Sequence, residues 1–397
     1  MAYQNARRPG FGGRRFSANR FAGHRGGARR ENIHPSKFVK AASAAVHVTY
    51  KAKNTFADFR VAPLLQKNIH KRGFNAPLPI QDQAIPLGIN GRDIIGIANT
   101  GTGKTIAFAI PVLHRLMTNA QSKVLIMAPT RELASQILEE CKTLVQGGNL
   151  RWALLIGGAA MRPQLKDLAR RPQIVIGTPG RIKDHLERKR LDLRGFDTVV
   201  LDEVDRMLDM GFVRDMRLIL AKLASKRQSF FFSATVDNKV RGLIDEFSYN
   251  PVTVSVKTGN TSDLVEQSIV QFRTNSDKIE KLHELLEKNR NGKVLIFDAT
   301  KRGVDRLSKT LCERGFRADA IHGNKSQGQR QRALERFRTS QMTILVATDV
   351  AARGIDIVDI THVVNYGAPQ SYNDYVHRIG RAGRAGRTGY AMTFVAS

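Results

Sequence analysis

Residues 94–105 read IIGIANTGTGKT, an apolar run followed by a glycine-rich turn that ends in lysine and threonine. The run Ile94–Ile97 predicts a buried strand, and the apolar pattern after Thr105 predicts a helix. Gly101 and Gly103 allow backbone N–H groups to point inward, and the N-terminus of the helix favours an anion. This stretch therefore predicts a phosphate-binding loop between a strand and a helix of an α/β domain.

Two residues at the end of this loop carry the expected chemistry. Lys104 would contact the β and γ phosphates of a nucleotide, and the hydroxyl of Thr105 would bind magnesium. The pattern usually opens with glycine, whereas this chain has Ala98 at that position. Taken alone, the motif leaves a chance glycine-rich turn as the alternative interpretation.

Short apolar runs alternate with helical patterns on both sides of the loop. The strand-like runs are Ile94–Ile97, Val124–Ala128, Ile174–Ile176, Thr198–Leu201 and Phe230–Phe232 in the first half, and Val294–Phe297, Thr343–Ala347, His362–Asn365 and Ala391–Val395 in the second. Such alternation predicts mainly parallel sheets with helices on both faces. The fold class is therefore α/β, with two domains in tandem.

Changes in composition suggest the domain boundaries. We place the first domain at residues 56–250 and the second at residues 263–397. Proline, glycine and polar residues indicate a linker at residues 251–262. Upstream, residues 36–55 are expected to form a connecting segment. Residues 1–35 are expected to be a disordered arm, because arginine, glycine and isolated phenylalanines cannot build a core.

Two adjacent carboxylates follow the apolar run Thr198–Leu201. Asp202 would hold magnesium, and Glu203 would orient and deprotonate the water that attacks the γ-phosphate. A solvated acidic loop is the alternative, but parallel α/β sheets bind ligands at the carboxyl ends of their strands. The sequence therefore predicts a nucleotide-hydrolysing site.

The second domain contains the run HRIGRAGRAGR at residues 377–387. Arginines separated by glycine can approach a phosphate closely, and an arginine supplied by a second domain can neutralise charge in the transition state. Arg384 and Arg387 cannot both reach one phosphate. For some of these arginines, the alternative is therefore a simple surface contact with RNA.

The charge and the cysteine content indicate the partner and the compartment. A net charge of +29 favours a polyanion such as a nucleic acid. The two cysteines form no disulfide framework, and no secretory signal or membrane-spanning run of about 18 apolar residues is present. We therefore expect a cytoplasmic protein without a membrane partner.

The motifs occur in the order and spacing of the DEAD-box RNA helicases, which the chain resembles from Phe56 to Ser397, as a bacterial-type minimal core preceded by a basic arm. The resemblance implies two RecA-like domains, use of ATP and Mg²⁺, and a monomeric core. It further implies RNA-stimulated ATP hydrolysis, sequence-tolerant binding of single strands and short duplexes, local unwinding and remodelling of RNA–protein complexes. Val204, where the family has alanine, puts only the packing there in question.

The same resemblance assigns residues to the nucleotide. Gln81, after Gly73-Phe74, would recognise adenine, and Phe56 would stack on it. Arg381 and Arg384 would be the arginine fingers. The remaining ATP contacts would be Thr100, Gly101, Thr102, Gly103, Lys104, Thr105, Gly354 and Asp356.

It also assigns residues to RNA and to coupling. The RNA contacts would be Pro129, Thr130, Arg131, Gly158, Thr178, Gly180, Arg181, Gln327, Arg330, Thr348, Asp349 and Arg353. The residues that couple hydrolysis to RNA binding would be Asp205, Ser233, Thr235 and His377. No ribosomal or RNA-degradation partner is indicated by the sequence.

Two other functions use the same fold. A catalytically weak RNA-binding scaffold or annealer would be expected to lose Lys104, Glu203 or Arg384, and all three are present. A DNA helicase is disfavoured by the adenine-reading segment and the RNA-type contacts.

The basic arm generates a prediction about salt. Residues 1–30 contain eight arginines and no acid, and arginine and phenylalanine can stack on bases. Deleting them should weaken RNA binding and flatten its dependence on salt, because fewer counterions are released. The maximal ATPase rate should barely change. Titrations with RNA at several salt concentrations measure how steeply the affinity depends on salt. If the deletion does not change this dependence, residues 1–30 act only as a solubilising tail.

Overall fold

The computed structural model describes residues 33–42, 50–99, 101–256, 264–352, 357, 359–383 and 387–397. Within these residues it contains two parallel sheets, each covered by helices, as the sequence predicts. We call residues 56–256 the first lobe and residues 264–397 the second lobe. The predicted disordered arm lies outside the described residues except for its last three positions.

The first lobe is built on a seven-stranded sheet. Its strands are β1 (Ile94–Ala98), β2 (Val124–Met127), β3 (Trp152–Leu155), β4 (Ile174–Gly177), β5 (Thr198–Leu201), β6 (Gln228–Ser233) and β7 (Val252–Val256). Every pairing is parallel, in the order β3-β4-β2-β5-β6-β1-β7. The carboxyl ends of all seven strands therefore lie along one edge.

Strand β7 corrects the predicted linker at residues 251–262. Its five residues, VTVSV, pair along their length with β1, so the sheet of the first lobe continues to Val256. Pro251 precedes the strand, where it removes no ladder hydrogen bond from the strand itself. The proline and the later glycine indicate a boundary, whereas the β-branched residues between them are typical of an edge strand.

Nine helices among the described residues cover this sheet. They are α1 (Pro63–Lys71), α2 (Pro79–Ile89), α3 (Lys104–Thr118), α4 (Arg131–Leu144), α5 (Met161–Ala169), α6 (Pro179–Glu187), α7 (Val204–Asp209), α8 (Val213–Leu220) and α9 (Asn238–Phe247). Helices α1–α4 pack on one face and α5–α9 on the other. Phe230 and Phe232 of β6 point to the first face and Phe231 to the second. The strands are thus buried on both sides, which explains their continuous apolar runs.

The second lobe repeats this architecture with six parallel strands. They are β8 (Val265–Phe272), β9 (Lys293–Phe297), β10 (Ala318–Ile321), β11 (Ile344–Ala347), β12 (Ile360–Asn365) and β13 (Gly389–Ala396), in the order β10-β11-β9-β12-β13-β8. The helices are α10 (Asn275–Lys288), α11 (Lys301–Glu313), α12 (Gln327–Arg338), α13 (Asp349–Ala352) and α14 (Tyr372–Ile379). Strands β8 and β10 were not among the predicted runs, because their polar and small residues break the apolar pattern.

The segment before the first lobe contacts both lobes. Residues Pro35–Phe38 form a 3₁₀ turn, and Lys40 forms an antiparallel bridge with Gln267 of β8. Residues 50–55 instead contact α2 of the first lobe. The predicted connecting segment at residues 36–55 is thus attached at both of its described ends. Within the described ranges, every helix is too short or too polar to serve as a membrane span.

The contact between β1 and β6 predicts a stability change. A Cβ atom on Gly96 would lie 2.4 Å from the ring of Phe232, so Gly96→Ala should overpack the sheet and destabilise the first lobe by about 1–3 kcal/mol. Denaturant unfolding of the first lobe measures the loss, and Phe232→Leu should restore part of it. Gly242→Ala in α9 is the matched control, because no atom lies within 4 Å of its added Cβ. Equal stability of the Gly96→Ala variant and the wild type would contradict the packing argument.

Candidate nucleotide site between the lobes

The glycine-rich loop after β1 holds its lysine at the start of a helix. Gly101 and Gly103 have φ values of 84° and 86°, in the left-handed region that glycine adopts without strain. Helix α3 begins at Lys104, and the buried Nζ of this lysine donates to the carbonyl oxygen of Ala98 at 3.0 Å. Thr102 Oγ1 donates to the carbonyl oxygen of Asn99 at 2.8 Å. The loop therefore curls around the position where the lysine could meet a phosphate.

Gln81 connects the loop before α2 to the phosphate-binding loop. Its Oε1 accepts from the Leu78 backbone N–H at 2.9 Å, and its Nε2 donates to the carbonyl oxygen of Gly103 at 3.1 Å. Leu78 faces the cavity described below, whereas Gln81 is buried behind it. The recognition of adenine by Gln81 stays a prediction, and its amide organises the loops on both sides.

Phe56, which is expected to stack on adenine, lies in an aromatic cluster. Only 4% of its surface is exposed, and its ring stacks on Phe74 with centroids 5.6 Å apart. Its other neighbour is the ring of Phe59, at 5.6 Å and nearly perpendicular. Phe56 does not line the cavity in this structure. Its contact with adenine stays a prediction, and what the geometry shows is an aromatic cluster near the start of the lobe.

The predicted acidic pair lies at the carboxyl end of β5. Asp202 is buried, and its Oδ1 accepts from the backbone N–H of Glu203 at 3.0 Å. Burial raises the pKa of Asp202 to about 6, the charge of Glu203 acts in the same direction, and Lys104 opposes both. A buried carboxylate of this kind, sharing a cavity with the hydroxyl of Thr105, suits a hard dication that takes oxygen ligands. These two residues therefore fit magnesium.

Glu203 is held in an unusual backbone conformation. Its φ of 55° is in the left-handed region, where a non-glycine residue is uncommon. Its Oε2 accepts from Arg206 Nη1 at 2.7 Å, and both side chains are buried. Burial acts to raise the pKa of Glu203, but the charges of Arg206, Lys104 and Arg381 outweigh it and lower that pKa. Glu203 is thus charged at neutral pH, as a group that accepts a proton must be.

The predicted coupling segment is hydrogen-bonded directly to the acidic loop. Asp205 Oδ2 accepts from the backbone N–H groups of Ala234 and Thr235, at 3.1 and 3.0 Å, and from Thr235 Oγ1 at 3.1 Å. Ser233 Oγ accepts from the Asp205 backbone N–H at 3.3 Å. These hydrogen bonds therefore join the loop after β5 to the loop after β6, and the role of these residues in coupling stays a prediction. His377, the fourth residue of this group, lies half-buried on α14 of the second lobe.

A cavity of about 620 Å³ joins the predicted catalytic residues of the two lobes. From the first lobe it is lined by the phosphate-binding loop, Asp202 and Glu203. From the second lobe it is lined by Arg381, at the turn after α14, and by α12. Predicted residues from distant parts of the sequence therefore meet around one space. Thr100, Gly354, Asp356 and Arg384 lie outside the described residues.

An ion pair beside this cavity joins the lobes. Arg330 of α12 donates to Glu132 of α4 through Nε at 2.7 Å, and its Nη2 lies 2.7 Å from the second carboxylate oxygen. Both side chains are buried. In this structure the Arg330 guanidinium faces a carboxylate of the other lobe, and its contact with RNA stays a prediction. Gln327, one turn earlier, lines the cavity and likewise faces the cleft.

The predicted RNA contacts of the first lobe converge at the carboxyl ends of neighbouring strands. Pro129 follows β2, Gly158 follows β3 and Thr178 follows β4. The Arg131 guanidinium lies against Gly158, where an added Cβ would be 1.9 Å from Nη1. Burial lowers the pKa of Arg131, and the charges of Arg330 and Arg181 add to that effect. The arrangement forms a positively charged edge beside the cleft.

The remaining members of this set lie on or beside the same edge. Thr130 caps α4 by accepting from the Leu133 backbone N–H at 3.2 Å. Gly180 is exposed in the first turn of α6, and Arg181 Nη1 donates to the carbonyl oxygen of Ala159 at 3.4 Å. The role of these residues in RNA binding stays a prediction.

In the second lobe the predicted RNA contacts are less open. Asp349 accepts from Arg378 through both carboxylate oxygens, at 2.5 and 2.7 Å, and Arg378 also donates to the Gly367 carbonyl oxygen. Asp349 thus anchors a buried arginine of α14. Thr348 precedes it at the end of β11 and is half-buried, and Arg353 lies outside the described residues.

Two residues of the site were missed from the sequence. Arg206 stands three residues after Glu203 on α7, a spacing that brings opposite charges together on a helix, so this signal was available. Glu132 directly follows Arg131, and the sequence alone gives it no role. Its partner Arg330 is 198 residues away, and a single sequence carries no signal of that pairing.

Comparison with known proteins agrees with this geometry. Residues 78–243 match the DEAD/DEAH box helicase family, and residues 277–386 match the helicase conserved C-terminal domain family. The ATP-dependent RNA helicase CshA of Listeria monocytogenes is 43% identical over 342 residues, which cover 86% of this chain and 66% of that protein. The corresponding Bacillus licheniformis helicase is 42% identical, with 86% and 70% covered.

A solved structure shows the same two-lobed arrangement. The Saccharomyces cerevisiae protein Dbp5 bound to RNA and ADP BeF₃ is 32% identical, with a TM-score of 0.76 and 86% and 90% of the two chains covered. The similarity thus extends over both sheets. The Dbp5 structure contains RNA and an ATP analogue. From its phosphate-binding loop to its arginine-rich run, this chain belongs to the DEAD-box family of ATP-dependent RNA helicases.

Proposed function

We propose that this protein hydrolyses ATP when its two lobes close on RNA, and that closure locally unwinds short duplexes and remodels RNA–protein complexes. The observation that carries the proposal is the shared cavity, lined by Lys104, Asp202 and Glu203 of one lobe and by Arg381 of the other. Neither lobe alone supplies both the carboxylates and the arginine. Hydrolysis therefore depends on how the lobes are arranged.

Each group in the cavity has a physical role. The Lys104 ammonium would contact the β and γ phosphates, and the charged Glu203 would orient a water and accept its proton. Thr105 and Asp202 would hold magnesium, which supplies positive charge to the phosphates when bound. Arg381 would neutralise the charge that develops on the γ-phosphate. Because Arg206 fixes the Glu203 carboxylate at 2.7 Å, the proton acceptor has a defined position before the substrate arrives.

RNA and ATP are expected to favour each other's binding. The positively charged edge of the first lobe lies beside the cleft, and the Asp205–Thr235 hydrogen bonds connect the acidic loop to the loop after β6. A ligand that binds the closed arrangement more tightly shifts the population towards it, and the coupling is reciprocal. Contacts to phosphates and 2′-hydroxyls carry little sequence information, so RNA of many sequences should bind.

The free thiols of Cys141 and Cys312 are compatible with a cytoplasmic location.

The assignment of Glu203 predicts a trapped complex. Glu203→Gln removes the proton acceptor but leaves the phosphate contacts, so this variant should bind ATP and RNA while losing at least about 100-fold in turnover. Lys104→Ala should instead weaken nucleotide binding. The measurement is steady-state ATPase with no nucleic acid, single-stranded RNA, duplex RNA and DNA, together with equilibrium binding of ATP and RNA.

The wild type in the same assay tests the proposed function as a whole. RNA should stimulate hydrolysis much more than DNA does. Near-normal turnover by Glu203→Gln would remove Glu203 from the mechanism. If the wild type binds RNA but RNA does not stimulate its ATP hydrolysis, the scaffold or annealing function is favoured. If DNA stimulates hydrolysis as much as RNA does, a DNA helicase is favoured.

The arginines of the second lobe predict a separation of binding from catalysis. Arg381→Ala and Arg384→Ala should retain ATP binding but lose most RNA-stimulated turnover, because an arginine supplied across a cleft is worth about 10³-fold or more. Arg387→Ala is the matched control in the same run and should lose much less. The measurement is the ATPase rate against RNA concentration. A loss of RNA affinity with an unchanged maximal rate would reassign the affected arginine to the RNA surface.

A further inference from the structure

Residues 33–42 are attached to the second lobe. Phe38 is buried with its ring 4.7 Å from that of Tyr375, and the backbone of Lys40 exchanges two hydrogen bonds with Gln267, at 3.1 and 2.8 Å. The ammonium of Lys37 lies 5.4 Å from the centre of the Tyr372 ring. This short segment therefore has an apolar anchor, a backbone pairing and a cation–π contact, all on one lobe.

The attachment reaches the helix that leads to the nucleotide site. Tyr375 is fully buried on α14, and its hydroxyl hydrogen-bonds to Gln267 Oε1 at 2.9 Å. Helix α14 ends at Ile379, and Arg381 follows two residues later on the wall of the cavity. Phe38 thus packs against the element that positions the arginine.

Residues 50–54 are attached to the first lobe through one carboxylate. Asp82 accepts hydrogen bonds from the Tyr50 hydroxyl at 2.6 Å, the Lys53 backbone N–H at 2.8 Å, and both the backbone N–H and the side-chain amide of Asn54. Asp82 is buried and directly follows Gln81, whose amide contacts the phosphate-binding loop. Four hydrogen bonds to one buried carboxylate make this a firm anchor.

The segment attached to the second lobe, residues 33–42, and the segment attached to the first lobe, residues 50–54, are close together along the chain. Eight residue steps separate Ala42 from Tyr50, which allows a span of at most about 29 Å. Eight steps also separate Val256, at the end of β7, from Leu264, just before β8. The lobes are therefore joined twice by connections of the same length, on different elements. As long as both anchors hold, the lobes can separate only within the reach of both connections.

We propose that two anchored segments, residues 33–42 on Tyr375 and residues 50–55 on Asp82, act together as an interlobe strap. The strap holds the lobes near the closed arrangement and positions Arg381, which follows α14, over the nucleotide. A second tether raises the effective concentration of one lobe at the other without any new contact in the cleft. The strap rests on the proposed lobe closure during ATP hydrolysis. Its expected consequence is a larger closed population when ATP and RNA are below saturation.

The test breaks each anchor separately and then both. Phe38→Ala releases the second-lobe end, and the pair Tyr50→Phe with Asn54→Ala weakens the first-lobe end without changing α2. Each should raise the KM for ATP, at fixed subsaturating RNA, by about fivefold, because the apparent affinity falls with the closed fraction. The maximal rate should change much less. Val39→Ala is the matched control, since Val39 adjoins Phe38 but is 56% exposed.

The combined variant distinguishes a strap from two local stabilising contacts. A strap that is cut at one end is already released, so breaking both ends should raise the KM no further than breaking one. An insertion of about twelve Gly/Ser residues between Ala42 and Tyr50 keeps both anchors but lowers the effective concentration, and it should give part of the same effect. Effects that multiply in the combined variant, or an insertion without effect, would overturn the proposal.

Interlobe distance provides an independent readout. Cys312 is exposed and Cys141 is buried, so Cys312 together with Arg194→Cys gives one labelling position on each lobe. Energy transfer should report a smaller closed fraction in the anchor variants at subsaturating ATP and RNA, and the same fraction at saturation. An unchanged closed fraction would overturn the strap even if the KM rises. A wild type without RNA-stimulated hydrolysis would instead count against the proposed function.

Discussion

The structure depends on one constraint: the charges that a triphosphate needs are divided between two separately folded sheets. Lys104, Asp202 and Glu203 belong to the first sheet, and Arg381 belongs to the second. The loops that follow parallel strands lie together at the carboxyl ends of those strands, so each sheet provides one half of the site. The Arg330–Glu132 ion pair fixes the halves against each other in this structure, and its burial makes the arrangement sensitive to the loss of either partner.

Much of the fold and site could be predicted because it is encoded locally. The phosphate-binding loop, the acidic pair after β5 and the loop at Ser233 each depend on a short run at the end of an apolar strand. Residues that end neighbouring parallel strands must meet, so their proximity follows once the sheet is recognised. The burial of Val204, where the family has alanine, shows the larger side chain accommodated in the core under α7.

Other features could not be predicted, because they depend on pairings between distant segments. The guanidinium of Arg330 could face RNA or a carboxylate, and only the relative position of α4 and α12 decides between them. The same holds for Phe56, whose ring is covered by Phe74. The sequence predicts a linker where β7 lies, because edge strands have weaker apolar patterns than central ones. In each case the residue type could be interpreted from the sequence, whereas the residue that it contacts could not be predicted.

The strand order of the second lobe has a consequence for how the chain is made. Strand β8 opens this lobe, yet all eight of its residues pair with β13, the last strand of the sheet. During synthesis β8 therefore emerges more than a hundred residues before its partner, at about 5–20 residues per second. Until then it exposes an unpaired edge, which is a template for association with other chains. The first lobe has the same feature, since β1 pairs only with β6 and β7, which follow it by more than a hundred residues. Both lobes should consequently expose an unpaired strand while the chain is being made.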